Sequence, residues 1–158
     1  FENNPTLLAD AQLKHVFILL SGGLFKETFD SLKVISIQNV ADSVKAEYYT
    51  LMGRSYYNLA DFNADSYSTP FYNNKANLYL DSALVFFAPN SFNHFYYSAL
   101  KFLKKNNSDS ALFNLLQLVK RNDLTHHQNA LATSTIGGIY IGQGYEDKAI
   151  PFLIAAFV

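Results

Sequence analysis

The histidines are the side chains of this chain best suited to metal binding or proton transfer, and their spacing supports neither. His126 and His127 are adjacent, so on a helix their side chains would point about 100° apart and could not easily bind one metal ion. His15 and His94 stand alone, outside any HxxxH or HExxH pattern. The chain has no cysteine, which excludes thiolate ligands and disulfides. The sequence therefore predicts no metal and no cofactor.

Carboxylates and glycines also fail to form a recognised catalytic motif. Asp61, Asp65 and Asp81 do not have the alternating spacing of a calcium-binding loop. Ser21-Gly22-Gly23 lacks the lysine of a phosphate-binding loop and fits a turn between helices. No GxSxG or SxxK sequence is present. We find no catalytic residues and predict that the protein is not an enzyme.

A repeated pattern of small and aromatic residues predicts the helices that would position any functional side chains of the chain. Gly137 and Ala149 occupy the two small positions of a helical hairpin, where only a small side chain fits between the helices. Tyr140 fills the space between hairpins, and Gly144 is expected to end the first helix with a positive φ. These spacings resemble the tetratricopeptide (TPR) repeat, a helix–turn–helix unit of about 34 residues.

The same pattern fits four times, with repeats near 9–45, 46–91, 92–129 and a truncated 130–158. The first repeat is the weakest, because Val16 and Thr28 replace its small residues. In the second, the alanine of the second helix comes eleven residues late, as Ala76, which predicts an insertion at about 61–71. The small residues are expected to be nearly buried against neighbouring helices: Gly53, Ala99, Ala111, Gly137 and Ala149.

Four such repeats predict an all-α fold, a right-handed α-α superhelix of about four hairpins and eight helices, in a single domain over 1–158. An apolar content of 49% and an aromatic content of 16% argue against disorder. With a net charge of −1 and no basic stripe, direct nucleic-acid binding is not expected, and no apolar run is long enough to span a membrane. The predicted helices are 6–20, 25–37, 43–63, 72–87, 92–105, 108–121, 126–142 and 146–157. Because the chain begins without Met and stops within the last helix, we interpret it as a fragment of a longer protein.

The resemblance to TPR domains implies a binding surface on the concave face, at repeat positions near 2, 5, 6, 9, 12 and 13. Thr50 and Arg54, then Asn93 and Tyr97, stand where chaperone-binding TPR domains carry a Lys/Asn/Lys/Arg carboxylate clamp, so chaperone tails are not expected as ligands. Arginine beside tyrosine is typical of recognition surfaces. The alternative is that the tyrosines only fill spaces between hairpins. The candidate residues for binding a peptide or protein are Arg54, Tyr57, Asn93, Tyr96 and Tyr97.

Three sequence segments resemble a narrower family: Glu47-Tyr48-Tyr49, the segment from Gly53 to Phe62, and the segment from Tyr79 to Leu84. They resemble the TPR region of membrane-anchored bacterial signalling and transcription-regulator proteins. That resemblance implies a periplasmic or otherwise extracytoplasmic sensor or scaffold module, followed by a transmembrane helix, a coiled coil and a cytoplasmic regulatory end. A cytoplasmic location is the alternative for the compartment. For the function, the alternative is a helical-repeat lipoprotein for carbohydrate uptake, which the full-length layout would distinguish.

The last helix carries an apolar stripe of Ile150, Leu153, Ile154 and Phe157. The outer face of a terminal repeat is normally covered by another repeat or a polar cap. We expect this stripe to be partly exposed in the chain as given, and to favour self-association through the C-terminal helix at high concentration.

Overall fold

The computed structural model describes residues 4–62 and 68–158, and within these ranges the chain forms eight α-helices and no β-strand. This confirms the predicted all-α class. The helices are α1 (Pro5–Ser21), α2 (Phe25–Val34), α3 (Asp42–Phe62), α4 (Ser68–Leu84), α5 (Phe92–Lys104), α6 (Ser108–Val119), α7 (His126–Gly142) and α8 (Glu146–Phe157).

The helices are grouped in two compact units, Phe1–Phe87 and Ala88–Val158. In the first unit, α1 packs against α2 and α3, α2 packs against α3, and α3 packs along α4. In the second unit, α5 packs on α6, α6 on α7, and α7 on α8. Each unit has its own apolar core, which removes the side chains from water and supplies most of the stability. The fully buried large side chains are Leu13, Leu32, Leu51 and Leu80 in the first unit, and Leu115, Leu118 and Ile136 in the second.

Three hairpin turns share one backbone geometry. Gly23, Asn106 and Gly144 follow α1, α5 and α7 and have positive φ values of 74°, 55° and 77°. The next residue in each turn donates its N–H to a carbonyl five residues earlier, over 2.8–3.0 Å, which is the Schellman arrangement that ends a helix. The positive φ predicted at Gly144 is therefore confirmed.

The second hairpin differs at the corresponding place. Ala60 occupies the position of the three turn residues, but it is buried inside α3, which continues to Phe62. Of the predicted insertion, residues 61–62 belong to α3 and 68–71 to α4, while residues 63–67 lie outside the described residues. The described part of the insertion thus lengthens α3 and α4 beyond the point where the other hairpins turn.

Two glycine contacts support the predicted register across this insertion. A Cβ atom built on Gly53 would lie 2.7 Å from Cδ2 of Leu80, and one built on Gly137 would lie 2.5 Å from Cδ2 of Leu153. The first pair is separated by 27 positions and the second by 16, so the same contact is made across eleven more residues.

The small residues expected between the helices are all buried: Gly53, Ala99, Ala111, Gly137 and Ala149. Thr28, which replaces a small residue in the first repeat, is also fully buried. Its hydroxyl donates to the carbonyl of Leu24 over 2.7 Å, so the buried polar group is satisfied within its own helix.

Two helices have bounds that differ from the prediction by more than two residues. α2 ends at Val34 instead of 37, because Ile35 adopts an extended ψ of 120° and buries its side chain. α4 begins at Ser68 instead of 72 and ends at Leu84 instead of 87. The segment Ser68-Thr69-Pro70 lies between the predicted helices 43–63 and 72–87, but it forms the first turn of α4. In that turn the helix does not need the N–H group that proline lacks.

Candidate ligand-binding faces

The α1–α3 face of the first unit brings equivalent repeat positions side by side. We use this name for the surface formed by Asp10, Lys14 and Phe17 of α1 with Glu47 and Arg54 of α3. Glu47 lies close enough to Asp10 and Lys14 for both to affect its pKa, and Arg54 lies over the ring of Phe17. Asp10 and Glu47 both occupy repeat position 2, whereas Phe17 and Arg54 both occupy position 9.

Arg54 and Phe17 form the aromatic–cation pair of this face. The Cζ atom of Arg54 is 5.6 Å from the centroid of the Phe17 ring, within the range of a cation–π interaction. Phe17 is 45% exposed, and Arg54 is half-buried. A guanidinium carries five N–H donors in its plane, so one that lies over a ring can still bind a carboxylate at its edge. Tyr57, one helical turn further along α3, is also half-buried.

The other end of the α1–α3 face carries a small charge cluster. Lys14 donates to the carboxylate of Asp10 one turn earlier on α1, with the atoms 2.5 Å apart. Burial raises the pKa of the half-buried Glu47; the charge of Asp10 raises it further, and the charge of Lys14 opposes both. Two carboxylates therefore face one lysine, and this end has an excess of negative charge at neutral pH.

Replacing Glu47 with Gln is expected to stabilise the protein at pH 7. The pKa of Glu47 is raised in the folded state, so its contribution favours folding below the unfolded-state pKa and is lost as pH rises through the folded-state pKa. At pH 7 the ionised group opposes folding, and Gln removes that charge. Urea unfolding at pH 7 and at pH 3.5 would measure the difference.

A second substitution tests the cause. With Asp10→Asn in place, the stabilisation by Glu47→Gln at pH 7 is expected to shrink, because one of the two sources of the raised pKa is gone. The interpretation is wrong if the Gln variant is equally stabilising at both pH values.

In the second unit, Tyr96 packs between helices. Its ring stacks on Phe92 with centroids 5.3 Å apart and planes 14° apart, and it makes a T-shaped contact with Tyr97, with centroids 5.4 Å and planes 75° apart. Its hydroxyl lies 3.4 Å from Oγ1 of Thr135 on α7. Tyr96 thus joins α5 to α7. Asn93 is exposed and Tyr97 is half-buried.

Other tyrosines show the packing role that was the alternative interpretation of the pattern. Tyr56 stacks on Tyr79 with centroids 5.7 Å apart and planes 2° apart, and Tyr49 stacks on Phe86 at 6.1 Å. Burial, followed by the neighbouring Tyr79 and Tyr72, raises the pKa of Tyr56. These rings fill the α3–α4 hairpin.

The five candidate residues are divided between the two units. Arg54 and Tyr57 belong to the first, whereas Asn93, Tyr96 and Tyr97 belong to the second. Sequence reasoning missed Phe17, Asp10 and Glu47 as candidates. The signal was available, because positions 2 and 9 of the first two repeats contain Asp10, Glu47 and Phe17 beside Arg54.

The histidines and carboxylates of the described residues form no cluster that could bind a metal ion. No group of three or more such side chains is placed to hold a metal ion within residues 4–62 and 68–158. His15 lines a cleft of about 380 Å³ between α1 and α2, beside Ser31 and Val34. In the same described part of the chain, every helix is too short or too polar to cross a membrane.

Helical hairpins with buried small residues, a recurring turn and a polar–aromatic face define a TPR-type interaction domain. The chain belongs to the family described as the SusR N-terminal TPR domain, whose model matches residues 2–158. Comparison with curated proteins and with solved structures found no match. The family match agrees with the regulator-like resemblance noted in the sequence.

Proposed function

We propose that this domain is the sensor or scaffold region of a bacterial signalling or transcription-regulatory protein, and that it binds a peptide or protein segment. The family match supports a regulator and gives no support to the alternative, an uptake lipoprotein. The observation that carries the binding proposal is Arg54 over the exposed ring of Phe17. A cation and an aromatic ring at one exposed point offer both charge and apolar area to a ligand.

Arg54 and Tyr57 are the binding residues of the first unit in this proposal. Asn93 and Tyr97 are those of the second. Tyr96 contributes by holding Tyr97 and the α5 surface in place, since its own hydroxyl and ring already contact protein groups.

Peptides selected from a random displayed library test this proposal. We expect the Arg54→Ala variant to bind the selected synthetic peptides about tenfold more weakly, a loss of about 1.4 kcal/mol. Lys33→Ala is the matched control, because it removes one positive charge from an exposed position on α2 without touching the α1–α3 face. Isothermal titration with each variant measures the affinities. Selection of no peptide whose affinity depends on Arg54 would contradict the proposal.

Self-association through α8 is a second proposal, and it rests on the exposure of its apolar stripe. Ile150 is 52%, Ile154 60% and Phe157 92% exposed, and exposed apolar patches favour association. We expect sedimentation velocity at millimolar concentration to show a dimer that Ile154→Glu abolishes. Lys148→Glu on the same helix is the charge control. A wild-type chain that stays monomeric at that concentration would contradict this proposal.

A further inference from the structure

The α1–α3 face has opposite charges at its two ends. At one end, Asp10 and Glu47, both at repeat position 2, lie near the same lysine, Lys14. At the other end, Arg54 lies at position 9 beside Phe17. One negative charge is in excess at the first end, and one positive charge lies at the other. A ligand that complements the whole face is therefore neutral overall but carries separated charges.

The helix geometry fixes the spacing of these charges. Positions 2 and 9 are seven residues apart, which corresponds to about 10 Å along a helix. A peptide in the polyproline II conformation advances about 9 Å in three residues and returns to the same side after each three. Side chains three residues apart in such a peptide would reach both ends of the face together.

The middle of the face lies over buried side chains. Leu13, Thr50 and Leu51 lie between the two ends, and each is buried to at least 93%. These side chains offer almost no surface to a ligand, so an extended backbone that crosses this stretch would contact the face mainly at its two ends. Its selectivity comes from the charged ends and from the exposed ring of Phe17.

We propose that the α1–α3 face binds an extended peptide segment with a basic and an acidic side chain three residues apart, and with an apolar side chain next to the acidic one. The acidic side chain binds Arg54, the apolar one packs on Phe17, and the basic one lies between Asp10 and Glu47. This inference rests on the proposed function, because it names the class of peptide that the same face selects.

Two synthetic peptides of identical composition test the spacing. In Ac-KPPEF-NH2 the charges are three residues apart, and in Ac-PPKEF-NH2 they are adjacent, while the Glu-Phe pair is the same in both peptides. Isothermal titration of the full chain is expected to give at least about tenfold tighter binding of the first peptide. Equal affinities, no detectable binding of the first peptide, or tighter binding of the uniformly acidic Ac-EPPEF-NH2 would overturn the inference.

Variants assign each end of the peptide. Arg54→Ala is expected to weaken binding of Ac-KPPEF-NH2 about tenfold and to leave Ac-KPPQF-NH2 unaffected, because the latter has no carboxylate for Arg54. Glu47→Gln is expected to weaken Ac-KPPEF-NH2 but not the peptide with norleucine in place of lysine. If Arg54→Ala weakens both Glu and Gln peptides equally, the assignment is wrong.

The two proposals fail in different ways. Library peptides that depend on Arg54 but show no spaced charges would overturn the inference and leave the proposed function intact. A library that yields no Arg54-dependent peptide would count against the proposed function itself.

Discussion

Replacing Gly53 with Ala is expected to destabilise the first unit, whereas replacing Gly138 with Ala is expected to stabilise the second. The new Cβ at position 53 would lie 2.7 and 2.8 Å from Cδ2 and Cγ of Leu80, and 3.2 Å from its backbone nitrogen. Leu80 is fully buried, so it cannot move aside without disturbing the core. Overpacking costs about 1–3 kcal/mol, and we expect the upper part of that range here because a backbone atom also lies in the way. That cost outweighs the gain of about 1 kcal/mol from replacing a helical glycine.

Gly138 supplies the matched control. It is exposed on α7, and no atom lies within 4 Å of a Cβ built there. Only the helix-propensity gain of about 1 kcal/mol remains. Urea unfolding should therefore give changes of opposite sign for the same substitution at the two positions. A stabilising Gly53→Ala would show that Leu80 does not close this site.

Gly137 falls between these extremes. Its Cβ would lie 2.5 and 2.7 Å from Cδ2 and Cγ of Leu153, which is slightly closer than the contact at Gly53. Leu153, however, is only half-buried, so we expect the end of its side chain to move aside more easily than that of Leu80. We therefore expect Gly137→Ala to lower the free energy of unfolding by less than Gly53→Ala does. The distance to the nearest atom would not by itself predict this difference.

The positions set by local backbone chemistry could be predicted from sequence. Gly144 and Asn106 are residue types that tolerate positive φ, and both adopt it. Ala111 and Ala149 are small where two helices cross, and both are buried. At these places the residue type restricts the structure directly, so one sequence was enough.

The positions set by contacts between helices were harder to predict. α2 ends early because Ile35 adopts an extended conformation and buries its side chain. Helix propensity alone does not predict this end. The role of Tyr96 depends on the distance between α5 and α7, which brings its hydroxyl to Thr135. Arg54 could be identified from its residue type and repeat position. Its partner Phe17 could be identified only by comparing the same position in the first and second repeats.

Replacing Ala111 with Leu is expected to destabilise the second unit by about 1–3 kcal/mol. Ala111 has no exposed surface and lies in the α5–α6 hairpin, in one core cluster with Ala99 and Leu115, which are equally buried. Three added carbon atoms can fit only if the helices separate or neighbouring side chains leave their preferred rotamers.

Ala155→Leu is the control for this substitution. Ala155 is exposed on α8, so the same side chain is added without a packing conflict and with little change in helix propensity. Thermal unfolding should show a lower midpoint for Ala111→Leu and one close to wild type for Ala155→Leu. Because the buried small residue follows from the repeat register, an unchanged midpoint for Ala111→Leu would show that the third repeat is out of register.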